Sequence, residues 1–263
     1  MKILTAHSFR GGTGKTNIIA NLAYALAITG KRVGVVDADA THPSLHIIFG
    51  LGNKQPSPTF GDFLLNKCSP DKIIHDISRM YGLEKSLYLI PSRLDDEIIN
   101  KILLINQNSF HIEGVFNALK SIGEKKLLDY LLIDTKPELD ERVLLYIMNS
   151  QAIFLMTRHD EADIRGTKEL LKRISCIPKH TIHIVPSMIQ EESAIDKKLM
   201  MENQFSEFDQ KRIIVTDAIV YSSTLSNIHA PKIDQLFIKK YPDDRFSKSI
   251  LNLAEMVQKL YPA

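Results

Sequence analysis

The chain has 263 residues, 44% of them hydrophobic, a formal net charge of +2 and two cysteines. A chain of this length and apolar share buries a large core, and its near-neutral charge carries no electrostatic signature of a nucleic-acid binder. Cys68 and Cys176 stand far apart, which excludes a disulfide framework or a cysteine metal motif and fits a reducing cytoplasm. No apolar run approaches the ~18 residues of a membrane span. The first residues enter a strand pattern directly, which leaves no room for a signal peptide. One domain over residues 1–263 is expected.

The chain opens with the apolar run Ile3-Leu4-Thr5-Ala6, followed by Ser8-Phe9-Arg10-Gly11-Gly12-Thr13-Gly14-Lys15-Thr16 and a helical pattern over 17–29. A glycine-rich loop between a strand and a helix lets several backbone N–H groups converge on one point, at the positive end of the helix dipole. That is a phosphate-binding loop, with Gly11, Gly12, Thr13, Gly14, Lys15, Thr16 and Asn17 as the candidate nucleotide-binding residues. Lys15 reaches the β- and γ-phosphates and the Thr16 hydroxyl ligates Mg²⁺. The general pattern G-x-x-x-x-G-K-[ST] wants glycine where this chain has Phe9.

Gly30 then stops the helix, and 32–36 reads as a buried strand ending in Asp37-Ala38-Asp39. Alternation puts both carboxylates on one side, at the carboxyl end of a strand beside the loop. Thr41-His42-Pro43-Ser44-Leu45 is expected to begin a short helix on which His42 and His46 share a face. Two short helices are expected between Gly50 and Asp76, a strand at 87–91, and helices at 95–107 and 112–125. Leu131-Leu132-Ile133-Asp134 is a buried strand with an acid at its tip, a Walker B arrangement in which Asp134 holds Mg²⁺ through water. Further strands are expected at 152–156 and 181–185 and helices at 160–174 and 245–260. Residues 212–216 and 218–221 read as short extended pieces. Strands alternating with helices predict a doubly wound, mostly parallel sheet.

The loop Arg10-Gly11-Gly12-Thr13-Gly14-Lys15-Thr16 fits the deviant Walker A pattern K-G-G-x-G-K-[ST], with arginine for its leading lysine. With Val35-Val36-Asp37-Ala38-Asp39, Pro43-Ser44-Leu45 and Leu132-Ile133-Asp134-Thr135, it makes the chain resemble the MinD/ParA family of P-loop ATPases nearly end to end. Weaker likeness continues in Arg158-His159-Asp160 and Arg165-Gly166-Thr167. The resemblance implies a single sheet of seven or eight strands, ATP and Mg²⁺ in the crevice, and an ATP-dependent face-to-face homodimer serving a regulatory or cargo protein. It implies that Asp39 orients the attacking water, that Asp37 assists the magnesium site and that Arg10 reaches the partner's phosphates. Two positions depart from the family. Thr135-Lys136-Pro137-Glu138 stands where Pro-x-Gly is usual, and Val185-Pro186-Ser187 offers no amide where an Asn reads adenine. Isolated cysteines argue against the iron–sulfur relatives. Three roles follow: a MinD-like switch, a DNA-binding partition ATPase, or, given Glu138, a nucleotide-binding scaffold with little hydrolysis. Membrane and DNA binding are the less favoured, because the chain stops at Tyr261-Pro262-Ala263 with no basic tail and its basic pairs read as solvated.

Overall fold

In the computed structural model, which describes residues 1–52, 56–93, 110–177, 180–227 and 236–263, the apolar runs become strands of one sheet. They are β1 (Lys2–His7), β2 (Val33–Asp37), β3 (His75–Asp76), β4 (Leu87–Ile90), β5 (Tyr130–Asp134), β6 (Ala152–Thr157), β7 (Thr181–Ile189), β8 (Ile213–Val215) and β9 (Ile219–Val220). The order is β3-β4-β2-β5-β1-β6-β7-β8, with β9 pairing on the distal half of β7. Every pairing is parallel except that of β3 with β4. The expected sheet is therefore present, with β3 and β9, at two residues each, added to seven longer strands. The central strands are buried on both faces, which is why they read as unbroken apolar runs.

Helices cover both faces. On one lie α1 (Lys15–Ile28), α2 (Leu45–Ile48), α9 (Phe237–Lys240) and α10 (Arg245–Leu260), packed on Leu4, Val35, Leu132 and Phe154. On the other, α4 (Phe110–Lys125) sets Phe116, Leu119 and Ile122 against Val36, Leu131 and Ile133. Beside it α5 (Glu141–Asn149), α6 (Glu161–Ile174) and α7 (Ala194–Gln204) cover Leu155, Ile184 and Ile213. Two short helices, α3 (Phe60–Leu64) and α8 (Ser223–Ser226), complete the set among the described residues. The expected helix at 95–107 lies outside those residues.

Where the boundaries moved, the cause is local. Helix α1 begins at Lys15 rather than Asn17, because Gly14 adopts φ 80° and delivers the chain directly into the first turn. It ends as expected at Gly30, with φ 84°. Strand β7 continues to Ile189 through Pro186, four residues past the expected end. Asp244 caps α10 by accepting from the N–H of Phe246, and the helix then presents Phe246, Ile250, Leu253 and Val257 to α1. Leu260, assigned to that face by periodicity, is instead 46% exposed. The apolar face is thus spent on the core. Tyr261 closes the arrangement: its carbonyl accepts from Tyr130 Oη at 2.8 Å and its hydroxyl meets His183 Nε2 at 2.6 Å. Ile250 is wholly buried, so Ile250→Ala is expected to lower unfolding free energy by about 2–5 kcal/mol in urea titration.

Candidate functional site

The loop between β1 and α1 lies at the carboxyl ends of the parallel strands, where the winding reverses between β5 and β6 on either side of β1. Gly12 and Gly14 have φ 79° and 80°, left-handed values that any residue with a Cβ pays for. They turn the loop around a cleft of about 750 Å³ lined by residues 8–17, Asp39, His42, Ser44, Ile48, Pro137 and Glu138. Seven candidate nucleotide-binding residues, Gly11 to Asn17, therefore share one wall with Asp39.

At the floor of the site Lys15 Nζ bonds Asp134 Oδ1 at 2.6 Å, with both side chains buried. Asp134 ends β5 and stands in register with Asp37 at the end of β2. Burial first, and the neighbouring Asp134 second, push the Asp37 carboxyl well above the usual range. Asp37 and Asp39 then divide the following turn between them. Asp39 Oδ1 accepts from the N–H groups of Thr41 and His42 and from Thr41 Oγ1. Asp37 accepts from the N–H groups of Asp39, Ser44 and Leu45. Pro43 has no N–H, so the two carboxylates take every backbone donor from Thr41 to Leu45. This is why α2 starts at Leu45 rather than Thr41, and why His42 sits in an exposed turn while His46 alone is helical. The two histidines do not share a helix face. Asp37 itself is not part of the cleft wall.

Arg10 takes a direction that sequence reasoning missed. Its guanidinium forms two bonds to Asp160, at 2.7 and 2.8 Å, and its Nε pairs with Asp163. Asp160 caps α6, Asp163 is in the first turn of that helix, and Arg158 reaches both. Phe9 follows the same path. A Cβ at Gly166 of α6 would collide with its ring, so the aromatic is seated on bare backbone. The signal was present only as an acidic helix start, which is ordinary capping chemistry. Glu138 stands 72% exposed at the cleft mouth, 3.9 Å from Lys136 Nζ.

Behind the loop, Thr135 Oγ1 donates its single proton to the Ala6 carbonyl at 2.8 Å, which leaves His7 Nδ1 to donate to the hydroxyl oxygen at 2.8 Å. Burial, then the Lys15 charge, depress the His7 pKa to about 3. Among the described residues no cluster of three His, Cys, Asp or Glu is placed to hold a metal by itself. No helix there is long and apolar enough to cross a membrane.

A doubly wound sheet carrying a strand–glycine loop–helix, with a lysine paired to the acid of the neighbouring strand, defines a P-loop nucleotide-binding protein. Residues 1–186 match the AAA_31 family, described as an AAA domain, and the chain belongs to that family, in its MinD/ParA group of P-loop ATPases. It is 25% identical to the flagellum site-determining protein YlxH of Helicobacter pylori, over 97% of this chain and 81% of that protein. It is 24% identical to the antiactivator FleN of Pseudomonas aeruginosa, over 66% of this chain and 57% of FleN. A solved structure of the septum site-determining protein MinD from Pyrococcus horikoshii OT3, complexed with Mg-ADP, has the same fold. Its TM-score is 0.76 at 20% identity, over 99% of this chain and 97% of that one.

The depressed His7 pKa has a consequence for acid stability. Between about 3 and ~6.5 the unfolded state binds a proton that the native state does not, so stability is whole above ~6.5 and is lost as pH falls toward 3. His7→Gln is expected to flatten the pH dependence of unfolding free energy in that window by up to ~1.4 kcal/mol per pH unit, measured by urea titration at several pH values.

Proposed function

We propose that the chain is an ATP-binding and ATP-hydrolysing switch of the MinD/ParA type, with residues 1–263 acting as one unit. In the ATP state it forms a homodimer that positions or regulates a partner protein. The observation that carries this reading is the convergence of Lys15, Thr16 and Asp39 on one cleft, with Asp134 already bonded to Lys15 beneath it. The similarity to a flagellum site-determining protein and to an antiactivator supports a regulatory role. No membrane anchor on α10 enters the reading, since the apolar face of that helix packs into the core.

The donor set fits a triphosphate and its metal. The loop offers backbone N–H groups and one cation to phosphate oxygens, and Thr16 and Asp134 offer the oxygen ligands that Mg²⁺ prefers. Magnesium, when bound, neutralises charge developing on the phosphates. Lys15 and Asp134 satisfy each other, which avoids two lone buried charges. With a nucleotide bound, Lys15 would pair with the β- and γ-phosphates, and the Asp134 carboxylate would be available to hold the magnesium. Asp39 orients the attacking water, the carboxylate being fixed by Thr41 and His42. Asp37 supports the metal site by holding the 39–45 turn in place.

Arg10 serves the dimer in this reading, crossing to the partner's phosphates with a guanidinium fork suited to them. To do so it must leave Asp160 and Asp163. That anchorage, with Glu138 at the cleft mouth, favours one second reading: a scaffold that binds nucleotide and scarcely hydrolyses it. A turnover assay separates the two.

Lys15→Ala is expected to abolish ATP binding in calorimetry and, by leaving Asp134 buried without its partner, to lower stability; undiminished affinity would remove the P-loop reading. Asp39→Ala should bind Mg-ATP nearly as the wild type does and lose at least about tenfold in turnover. Light scattering with ATP, in the Asp39→Ala background, should show a dimer that Arg10→Ala weakens. Equal dimerisation of the single and double variants would mean that Arg10 stays with α6.

A further inference from the structure

Thr135, the residue after Asp134, is wholly buried and is fixed by three hydrogen bonds. Its N–H donates to the Ala6 carbonyl at 3.3 Å, its Oγ1 donates to the same carbonyl at 2.8 Å, and that Oγ1 accepts from His7 Nδ1 at 2.8 Å. Ala6 is the β1 residue in register with Asp134, so the three bonds close on the very end of the β1–β5 pairing. His7 is as buried as Thr135 and is held neutral, so the proton it gives the hydroxyl is the one its ring carries. Neither side chain lines the phosphate cleft. Both sit one layer behind it, against the strand end from which Asp134 emerges.

Asp134 itself is held less completely. On the β2 side its carbonyl accepts from the Ala38 N–H at 2.9 Å. Among the described residues its carboxylate bonds one side chain, Lys15, at 2.6 Å. In the function assigned above Lys15 pairs with phosphate, and that restraint is then lost. What still fixes the tip of β5 on the β1 side is the cluster of Thr135, His7 and the Ala6 carbonyl. Further along, Lys136 and Asp140 pair at 3.1 Å, but both side chains are partly exposed and water competes for the contact. A carboxylate ligand is effective when neighbouring groups already orient it, because a ligand free to turn loses binding energy to its own ordering.

We propose that His7 and Thr135 are positioning residues for the magnesium-bound nucleotide: by fixing the end of β5 they keep the Asp134 carboxylate in place when Lys15 pairs with the phosphates. The two act through Asp134 and touch neither nucleotide nor metal. Their removal therefore weakens binding of the nucleotide with magnesium and spares binding of the nucleotide alone, which the loop and Lys15 hold. The inference rests on the nucleotide-binding role assigned to the loop and adds two residues behind the cleft to that site.

The test is calorimetric titration of the full chain with a non-hydrolysable ATP analogue, once in Mg²⁺ and once in EDTA. The wild type is expected to bind more tightly in Mg²⁺. Thr135→Val keeps the shape and removes the hydroxyl, and His7→Leu removes the Nδ1 donor. Each is expected to lose about tenfold in Mg²⁺ and to stay within about twofold of wild type in EDTA. His7→Asn, whose side-chain amide offers a donor at the place of Nδ1, should stay within about threefold of wild type in both. The double variant His7→Leu/Thr135→Val should lose no more than either single one, since the two residues act through one bond. Both single variants should also melt lower, but a merely structural role would not confine the loss of affinity to Mg²⁺. Undiminished affinity of Thr135→Val in Mg²⁺ would overturn the proposal, as would equal losses in Mg²⁺ and EDTA or additive losses in the double variant. Should His7→Leu not fold, Thr135→Val decides. A wild type that binds equally in Mg²⁺ and EDTA removes Asp134 as a metal holder and the proposal with it; one that binds in neither removes the loop reading itself.

Discussion

A lysine and an aspartate share a buried position at the base of the phosphate loop, and the arrangement of the surrounding elements follows from the need to keep them together. Lys15 begins α1 and Asp134 ends β5, so their 2.6 Å bond ties the loop to the strand beside β1. Each charge would be costly alone, since both side chains are almost without solvent. The pair also constrains what lies next to it. Asp37, across from Asp134 in the sheet, is satisfied by backbone N–H groups. Burial raises the Asp37 carboxyl well above its usual range, and the N–H groups of the 39–45 turn act in the opposite direction. His7, similarly near Lys15, is held neutral.

Much of this was legible in the sequence because it is local. The loop needs glycines at left-handed positions and a lysine at the helix start, and both requirements lie within nine consecutive residues. The strand ending in Asp134 announced itself because a parallel strand buried on both faces must be apolar throughout. Helix α10 had the expected bounds, Arg245 to Leu260, since an amphipathic stripe signals the face that a helix buries.

What was not legible depends on partners far away in the chain or on competition for donors. Arg10 meets a carboxylate 150 residues distant, and nothing near it in sequence tells a phosphate-seeking arginine from an anchored one. The turn at 41–44 was expected to be helical because Pro43 suits a first turn. The carboxylates of Asp37 and Asp39 instead take the donors that would open such a helix. At Met188 no glycine marks the left-handed residue, so the irregularity in β7 was invisible.

The ionic cluster on α6 bears on whether Arg10 can serve two masters. Two arginines, Arg10 and Arg158, face two aspartates, Asp160 and Asp163. Asp163 is 1% exposed and would be costly to strand. Arg158 would keep hold of its Oδ2, with a side-chain bond at 3.0 Å and a backbone N–H at 3.2 Å, while Oδ1 would give up its contact with Arg10 Nε. Asp160 is partly solvated, keeps the N–H of Asp163 as its cap partner and lies 3.3 Å from Arg158 Nε. The departure of Arg10 therefore leaves every carboxylate partnered. A phosphate group, more highly charged than either aspartate and open to a bidentate fork, competes for Arg10 on favourable terms. Phe9 sets the remaining condition: its seat on Gly166 holds the loop against α6, so the proposed change of partner by Arg10 would require loop and helix to part or to move together.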